Sequence, residues 1–361
     1  MKYANRRNES KQAIQGRLVI EGNAFLLEPR PCGEYTDGHA NDTPPHRLVD
    51  PAPARNGARG RFPTRERPGS MNRTKFALVT GASSGIGRSI AERLGQSGWQ
   101  VFAGVRSEAA ADEARALHEA IRPVILDVTD GGQIAAAQKV ISEATGSTGL
   151  QALVNNAGVG VACPIEYQPI ADVRRVLETN VIGHVAVTQA FLPLLRRGGG
   201  RIVFMSSGAG FIALPMFGAY AASKFALEAV ADSLRRDLRP WRLPVINIEP
   251  GFVKTRILVN GYRDTTEAFN RLSVEGRAYY AESYRAVQSI QASMLKSALP
   301  PERVAATVLK ALEARRPRLR YPVGMDAWLA RFLRLMPARL ADALIAAQGR
   351  MAARNADQPA G

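Results

Sequence analysis

From residue 75 onward, short apolar runs alternate with longer stretches in which apolar residues recur at helical spacing. Near-continuous apolar strands separated by helices are typical of a parallel sheet whose two faces are both covered. Because crossovers between parallel strands are right-handed, the helices then pack on both faces of that sheet. The alternation therefore predicts a doubly wound α/β fold that binds its ligands at the carboxyl ends of the strands.

The same alternation gives the bounds of the predicted elements. Strands are predicted at Phe76–Thr80, Val101–Val105, Val124–Leu126, Ala152–Asn155, Arg201–Ser206, Pro244–Ile248 and Leu319–Val323. Helices are predicted near Gly85–Gln96, Ala109–His118, Gln133–Ala144, Ala171–Arg197, Tyr220–Arg239 and Pro301–Ala314. Together they make residues 71–325 a single predicted domain.

The first seventy residues differ in composition from the rest. They hold 15 Pro and Gly in 70 residues, against 39 in the remaining 291, and show neither a helical nor a strand period. They contain no basic stretch followed by an apolar core, and their eight acidic residues argue against a transit peptide. We predict that residues 1–70 are a disordered extension, which an upstream start codon would explain, since Met71 directly precedes the first globular segment.

The net charge of +16 is spread along the chain, with 12 basic and 8 acidic residues before position 71 and 36 and 24 after it. Short arginine clusters fall near predicted helix ends, where cations suit the helix dipole. No aromatic residues interleave with a basic stripe, so we expect a solvated surface and no nucleic-acid partner.

Cysteine content and hydropathy indicate which cellular compartment to expect for this chain. Cys32 and Cys163 are the two cysteines, and they fit neither a disulfide framework nor a zinc cluster, so no metal is expected. A reducing, cytoplasmic compartment is the default. No run approaches 18 consecutive apolar residues, so no membrane-spanning helix is predicted.

A glycine-rich turn joins the first strand to the first helix. Glycines at such a turn let the backbone approach a pyrophosphate, which the helix N-terminus stabilises. The predicted contacts are Gly81, Ser83, Ser84, Gly85, Ile86 and Gly87. A turn of this kind at the start of the sheet predicts a Rossmann-type dinucleotide site.

The end of the second strand indicates which dinucleotide is bound. An acid is expected there when the adenosine ribose carries a free 2′-hydroxyl, but this chain has Val105 followed by Arg106. An arginine can bind a 2′-phosphate through two hydrogen bonds, so NADP(H) is favoured over NAD(H). A solvated loop arginine is the alternative interpretation.

Tyr220 and Lys224 lie four residues apart on one predicted helix face, and Ser206 and Ser207 lie at the end of the strand before them. Together with the glycine turn and the Asn155–Gly158 segment, they make the chain resemble the short-chain dehydrogenase/reductase family. The resemblance covers roughly residues 75–323. The sequence that follows Tyr220 looks most like the hydroxysteroid and retinol dehydrogenase branch.

This resemblance implies a catalytic tetrad of Asn180, Ser207, Tyr220 and Lys224. Tyr220 would exchange a proton with the substrate oxygen as general acid or base, and Ser207 would polarise that oxygen. Lys224 would bind the nicotinamide ribose and lower the pKa of Tyr220, while Asn180 would hold a water in a proton relay. Tyr220 and Lys224 therefore count among the cofactor contacts as well.

The resemblance also implies contacts along the rest of the cofactor. They are Asp127 and Val128 at the adenine, Asn156, Ala157 and Gly158 after the fourth strand, and Pro250, Gly251, Val253 and Thr255 after the sixth. His184 and Cys163 are interpreted as structural.

In this family the segment after the sixth strand selects the substrate. Here it is residues 257–299, a predicted helical lid that begins with Ile257, Leu258 and Val259 and contains Phe269, Leu272, Tyr279, Tyr280 and Tyr284. With the apolar flank Phe211–Phe217, it favours a bulky apolar alcohol, ketone or aldehyde as substrate. A hydrophobic dimer surface is the alternative.

The remaining residues, 326–361, form a predicted amphipathic tail of one or two helices broken near Pro337. The tail either packs on its own subunit or lies against a membrane surface or a partner subunit. The long helix Ala171–Arg197 carries the apolar residues Val181, Val185, Leu192 and Leu195, more than one sheet face needs. The resemblance implies a two-fold interface formed by this helix and the tyrosine helix, so a homodimer or homotetramer is expected.

These expectations make the chain an NADP-dependent oxidoreductase. The competing function is a non-catalytic nucleotide-binding regulatory or interaction protein on the same fold. Its mark would be the loss of the tyrosine or the lysine, and neither is lost.

Overall fold

The computed structural model describes residues 74–356, with the side chains at 257, 260–262, 264, 293 and 348–356 left out. The predicted extension, residues 1–70, lies outside the described residues. The same is true of the last five residues of the predicted tail.

Within residues 74–356, seven strands form one wholly parallel sheet in the order β3-β2-β1-β4-β5-β6-β7. The strands are β1 Lys75–Val79, β2 Trp99–Val105, β3 Ile121–Ile125, β4 Ala152–Asn155, β5 Arg201–Met205, β6 Val245–Pro250 and β7 Arg320–Val323. The strand order reverses between β1 and β4, which opens a crevice at their carboxyl ends. The predicted fold class is confirmed.

Eleven helices surround this sheet in the described residues. They are α1 Gly85–Gln96, α2 Glu108–Arg115, α3 Gly131–Thr145, α4 Ile170–Leu177, α5 Gly183–Gly198, α6 Gly218–Asp237, α7 Arg256–Asn270, α8 Val274–Ser297, α9 Pro301–Glu313, α10 Met325–Arg334 and α11 Ala338–Ala356. None of them is long and apolar enough to cross a membrane.

Two apolar cores, one on each face, fix the sheet between its helices. On one face, α1 buries Ile90 against β1 and β2, and α9 buries Val304 against β6 and β7. On the other, α5 buries Phe191 against β4 and β5, and α6 buries Leu227 against β6, in a cluster that also contains Phe102 of β2. Burial of large side chains on both faces explains why the strands read as continuous apolar runs.

The long helix predicted at Ala171–Arg197 is divided in the structure. α4 ends at Leu177, a π-helical turn spans Glu178–Ile182, and α5 follows. This turn carries the fully buried Asn180, whose amide is hydrogen-bonded outside the helix. Helical periodicity predicted the axis of this segment correctly, but one wide turn leaves no mark in that pattern.

The predicted lid and tail are helical, and each consists of two helices. Residues 257–299 are covered by most of α7 and α8, which meet at Leu272 and Ser273. The tail holds α10 and α11, which are separated near Pro337. Pro337 lacks a backbone N–H, so it is a natural place for the break.

Candidate active site

The glycine turn forms a cradle at the carboxyl end of β1. Gly81 and Gly85 have φ angles of +63° and +55°, which side chains rarely tolerate. A Cβ on Gly87 would collide with the Gly81 carbonyl oxygen, so the helix packs directly on the turn. Ser84 precedes α1 without a side-chain cap, which leaves the first amides of the helix available. This cradle fits the pyrophosphate of a dinucleotide.

The ends of β1 and β4 are joined by side-chain hydrogen bonds. Asn156 donates from Nδ2 to the carbonyl oxygens of Thr80 and Gly81 at 2.9 and 3.1 Å. The Thr80 hydroxyl accepts from the backbone N–H groups of Asn156 and Ala157 at 2.9 and 3.1 Å. Asn156 and Thr80 therefore shape the cradle together. No sequence pattern marked Thr80 for this supporting role.

Tyr220, Ser207 and Lys224 come together where β5 ends and α6 begins. The Ser207 side chain lies close enough to the Tyr220 phenol to influence its pKa. The Lys224 ammonium lies 5.6 Å from the centre of the Tyr220 ring. The expected trio of hydroxyl donor, phenol and cation is thus assembled on two adjacent elements.

The pKa values of Tyr220 and Lys224 reflect their burial. Burial raises the pKa of Tyr220 above its ordinary value, and the nearby Ser207 side chain acts against this rise. Burial lowers the pKa of Lys224 to about 8, against the opposing influence of Glu228. The lowering of the tyrosine pKa expected from Lys224 is therefore not seen in the chain by itself.

Asn180 lies near this trio, but its side chain is already in use. Its Oδ1 accepts from the Val159 N–H at 2.9 Å, and its Nδ2 donates to the Val159 carbonyl at 2.9 Å and to the Ser223 hydroxyl at 3.0 Å. Both amide hydrogens therefore have protein acceptors. The amide joins the loop after β4 to α6. A water in the expected proton relay would therefore have to accept its hydrogen bond from a group other than the Asn180 side chain.

The loop after β6 reaches the cradle from the other side. A Cβ on Gly85 would lie 3.2 Å from the Thr255 methyl carbon, so this threonine touches the glycine turn. The Thr255 hydroxyl also caps α7 by accepting from the Leu258 N–H at 3.4 Å. Val253 is buried and pairs with Leu299 in an isolated parallel bridge. Thr255 and Val253 therefore lie on the segment that closes the crevice.

The predicted adenosine contacts lie at the ends of β2 and β3. Arg106 is exposed directly after β2 and has no ion pair within the described residues. Asp127 is half-buried, and its carboxylate accepts hydrogen bonds from the N–H and hydroxyl of Thr129 at 2.9 and 2.8 Å. Val128 is buried against Gly183, where a Cβ would clash. Val128 thus forms a wall rather than a polar contact.

The residues predicted to form the lid do not all face one way. Tyr279 is 69% exposed and bonds Glu275 of its own helix, and Tyr280 bonds Glu166. Tyr284 stacks on Phe269 with ring centres 4.0 Å apart, and this pair joins α7 to α8. The prediction of an inward-facing lid is therefore wrong for Tyr279, which points to solvent. The side chain of Ile257, another predicted lid residue, lies outside the described side chains.

His184 was interpreted as structural, and its surroundings are those of a neutral buried ring. It is fully buried, and its Nε2 lies 2.6 Å from the Ala157 carbonyl oxygen. Burial, helped by the nearby Lys224 charge, lowers its pKa to about 3. The ring therefore holds Ala157, beneath the cradle, without carrying charge. Nothing in the spacing of the sequence pairs these two residues.

Comparisons with known proteins agree with this geometry. The family model described as short chain dehydrogenase matches residues 75–265. Retinol dehydrogenase 5 of Mus musculus is 37% identical over 280 residues, covering 75% of this chain and 87% of the relative. The NADPH-dependent 3-dehydrocapnine reductase of Ornithobacterium rhinotracheale is 34% identical, with 74% and 95% covered.

Solved structures give the same result. A short-chain dehydrogenase from Streptomyces avermitilis has a TM-score of 0.63 and 28% identity, and the match covers 80% of this chain and all of that one. A short chain dehydrogenase from Burkholderia cenocepacia in complex with NADP has a TM-score of 0.54 and 25% identity, with 79% and 98% covered. The cradle, the trio and these likenesses agree: the chain belongs to the short-chain dehydrogenase family and falls in its retinol dehydrogenase-like branch.

Proposed function

We propose that this oxidoreductase transfers a hydride between NADP(H) and the carbonyl or alcohol carbon of a bulky apolar substrate. The observation that carries the proposal is the Lys224 ammonium 5.6 Å from the centre of the Tyr220 ring, with the Ser207 side chain close to the same phenol. A substrate oxygen bound by the hydroxyls of Ser207 and Tyr220 would lie at the crevice that contains the glycine cradle.

The cofactor supplies or accepts the hydride, and the chain handles the proton. In the reducing direction Tyr220 gives its hydroxyl proton to the substrate oxygen, while Ser207 donates a hydrogen bond to the same oxygen. With a pKa of about 8, Lys224 is mostly protonated near neutral pH and stabilises the phenolate that remains. In the oxidising direction the same groups act in reverse.

The preference for NADP(H) over NAD(H) rests on Arg106. Its side chain is exposed at the end of β2, where a ribose 2′-phosphate would lie, and it has no competing ion pair among the described residues. A guanidinium can hold a phosphate through two charge-assisted hydrogen bonds. The NADPH-dependent 3-dehydrocapnine reductase and the Burkholderia cenocepacia dehydrogenase in complex with NADP support the same choice.

The apolar substrate class rests on the surroundings of the trio. Between Ser207 and Tyr220 the chain runs through Phe211, Ile212, Leu214, Met216 and Phe217. The segment after β6, which we expect to cover the substrate, contains Phe269 in α7 and Leu272 between α7 and α8. Several relatives are named retinol dehydrogenases, whose substrate is a long apolar alcohol. These apolar walls would hold a steroid-, retinoid- or lipid-like molecule.

Assembly and location belong to the same proposal. We propose a cytoplasmic homodimer or homotetramer, for which Ile182 offers an apolar side chain that is 52% exposed. Leu195, by contrast, is fully buried in the core, so it cannot contribute to a pairing surface. On α10, Trp328 and Phe332 are 55% and 62% exposed and alternate with arginines, which suits peripheral contact with a membrane surface.

The test is a substrate screen with the purified full chain. NADPH oxidation is followed with a panel of apolar ketones and aldehydes, beside small polar carbonyl compounds of equal reactivity. The proposal predicts turnover confined to the apolar members. NADPH binding without turnover of any member would favour the nucleotide-binding regulatory protein, and an equal rate with small polar members would refute the substrate class.

A further inference from the structure

A carboxylate on the tail reaches the loop that follows β6. Asp326, the second residue of α10, accepts a hydrogen bond from the Phe252 N–H through Oδ2 at 2.5 Å. Its Oδ1 accepts from the Ala327 N–H at 3.0 Å. The side chain is half-buried, and a Cβ on Gly251 would collide with both of its oxygens. The carboxylate therefore lies directly on the loop backbone, in space that only glycine leaves open.

Other hydrogen bonds to this loop come from backbone groups. The Gly251 N–H donates to the Val323 carbonyl at 2.9 Å, and Phe252 accepts from the Leu299 N–H at 2.9 Å. The Lys254 N–H donates to the Leu299 carbonyl at 2.9 Å. In the described part of the chain, Asp326 is thus the charged side chain that fixes residues 250–254.

The helix that carries Asp326 is itself anchored at the site. Arg331 pairs with the buried Glu249 at 2.7 Å, one residue before Pro250. Ala330 packs on Gly208, where a Cβ would lie 3.4 Å from the alanine methyl group. α10 therefore touches both the turn after Ser207 and the loop that leads to Val253.

We propose that Asp326 is a positioning residue for the nicotinamide end of the cofactor. Its carboxylate holds the loop so that Val253 and Thr255 face the nicotinamide, and it acts through the Phe252 amide without touching the cofactor. The inference rests on the proposed function, because it requires that this loop meets the cofactor. An acid in the first turn also suits the helix dipole, so a purely structural role is the competing explanation.

The test compares two ligands on Asp326→Ala and Asp326→Asn. NADPH carries the nicotinamide, and 2′-phospho-ADP-ribose lacks it. A hydrogen bond to a charged group corresponds to roughly 10- to 150-fold in an equilibrium constant, so Asp326→Ala should weaken NADPH binding by up to about that factor. The affinity for 2′-phospho-ADP-ribose should stay within about twofold. Asp326→Asn keeps an acceptor oxygen and should lose only several-fold.

Asp342→Ala is the matched control, because this carboxylate is exposed on α11 of the same tail. It should leave both affinities and the melting temperature unchanged. Unchanged NADPH affinity in Asp326→Ala, or equal losses for both ligands, would overturn the inference in favour of the structural role. If Asp326→Ala does not fold, the same comparison on Asp326→Asn decides. Failure of the wild type to bind either ligand would instead refute the proposed function.

Discussion

The Lys224 ammonium donates a hydrogen bond to the Met205 carbonyl oxygen at 2.8 Å. Met205 is the last residue of β5, and Ser207 follows it by two residues. This bond therefore joins α6 to the strand that precedes the Ser207 hydroxyl. Because Lys224 is almost fully buried, its cation is held at a fixed place beside Tyr220. The lysine therefore organises the trio even before any ligand is bound.

Replacement of the phenol should separate catalysis from binding. Tyr220→Phe removes the hydroxyl that exchanges the proton, and positioned acid-base catalysis contributes about 10²- to 10⁴-fold. We expect turnover to fall by that factor while NADPH affinity changes by less than about threefold. Tyr279→Phe, on the exposed face of α8, is the control and should leave both unchanged. A Tyr220→Phe enzyme that keeps more than about half the wild-type rate would contradict the assignment.

Arg106→Ala should change the choice of cofactor. Loss of a charge-assisted contact to phosphate costs roughly 1.5–3 kcal/mol, or about 10- to 150-fold in affinity. We expect NADPH binding to weaken by that factor and NADH binding to stay nearly constant, as measured by titration of each cofactor. Arg88→Ala is a suitable control, since Arg88 pairs with Glu92 on α1. Equal losses for NADPH and NADH would show that Arg106 does not bind the 2′-phosphate.

His184 should make the protein sensitive to acid. Its pKa is about 3 in the folded chain, against about 6.5 when unfolded, so below pH 6.5 only the unfolded state binds the proton. Stability should therefore fall as the pH drops from about 6.5 towards 3, by up to roughly 4 kcal/mol. His184→Gln keeps an N–H donor for Ala157 and should lose less free energy of unfolding between about pH 7 and pH 4.5.

Urea unfolding of both proteins across this range provides the check. Burial raises the pKa of Glu249 to about 7, so Glu249 stabilises the fold as the pH falls from about 7 to 4.5, with the opposite sign. This contribution is common to both proteins and cancels in the comparison. Parallel pH profiles for the wild type and His184→Gln would show that the buried ring is not the cause.

Removal of residues 1–70 should cost little. A segment rich in proline and glycine, without periodicity, cannot bury enough surface to offset its ordering entropy. We expect a chain that starts at Met71 to keep the melting temperature and NADPH-dependent rate of the full chain, and to pair in solution. Measured mass, melting and rate test these points separately. An inactive truncated chain would refute dispensability, and an active monomer would refute pairing.

Local patterns were sufficient to predict most of the fold. The bounds of α1 were predicted to the residue, because a glycine turn and a clear helical period define both ends. The trio could be predicted for a similar reason, since Tyr220 and Lys224 share one helix and Ser207 lies two residues after the end of the preceding strand. Contacts between distant segments were not predictable in this way. The bond from Asp326 to Phe252 joins residues 74 positions apart, and neither residue type marks the other.

The π-helical turn at Glu178–Ile182 has a consequence for how this chain tolerates change. One extra residue in a helical turn rotates everything beyond it by about 100° around the axis. The turn therefore sets the rotation of α5, which buries Phe191, relative to α4, which buries Val176. Asn180 lies in the turn itself, so the same extra residue also decides where its amide points. A deletion of a single residue in this turn would force α4 and α5 into one phase and turn one of them away from its partners.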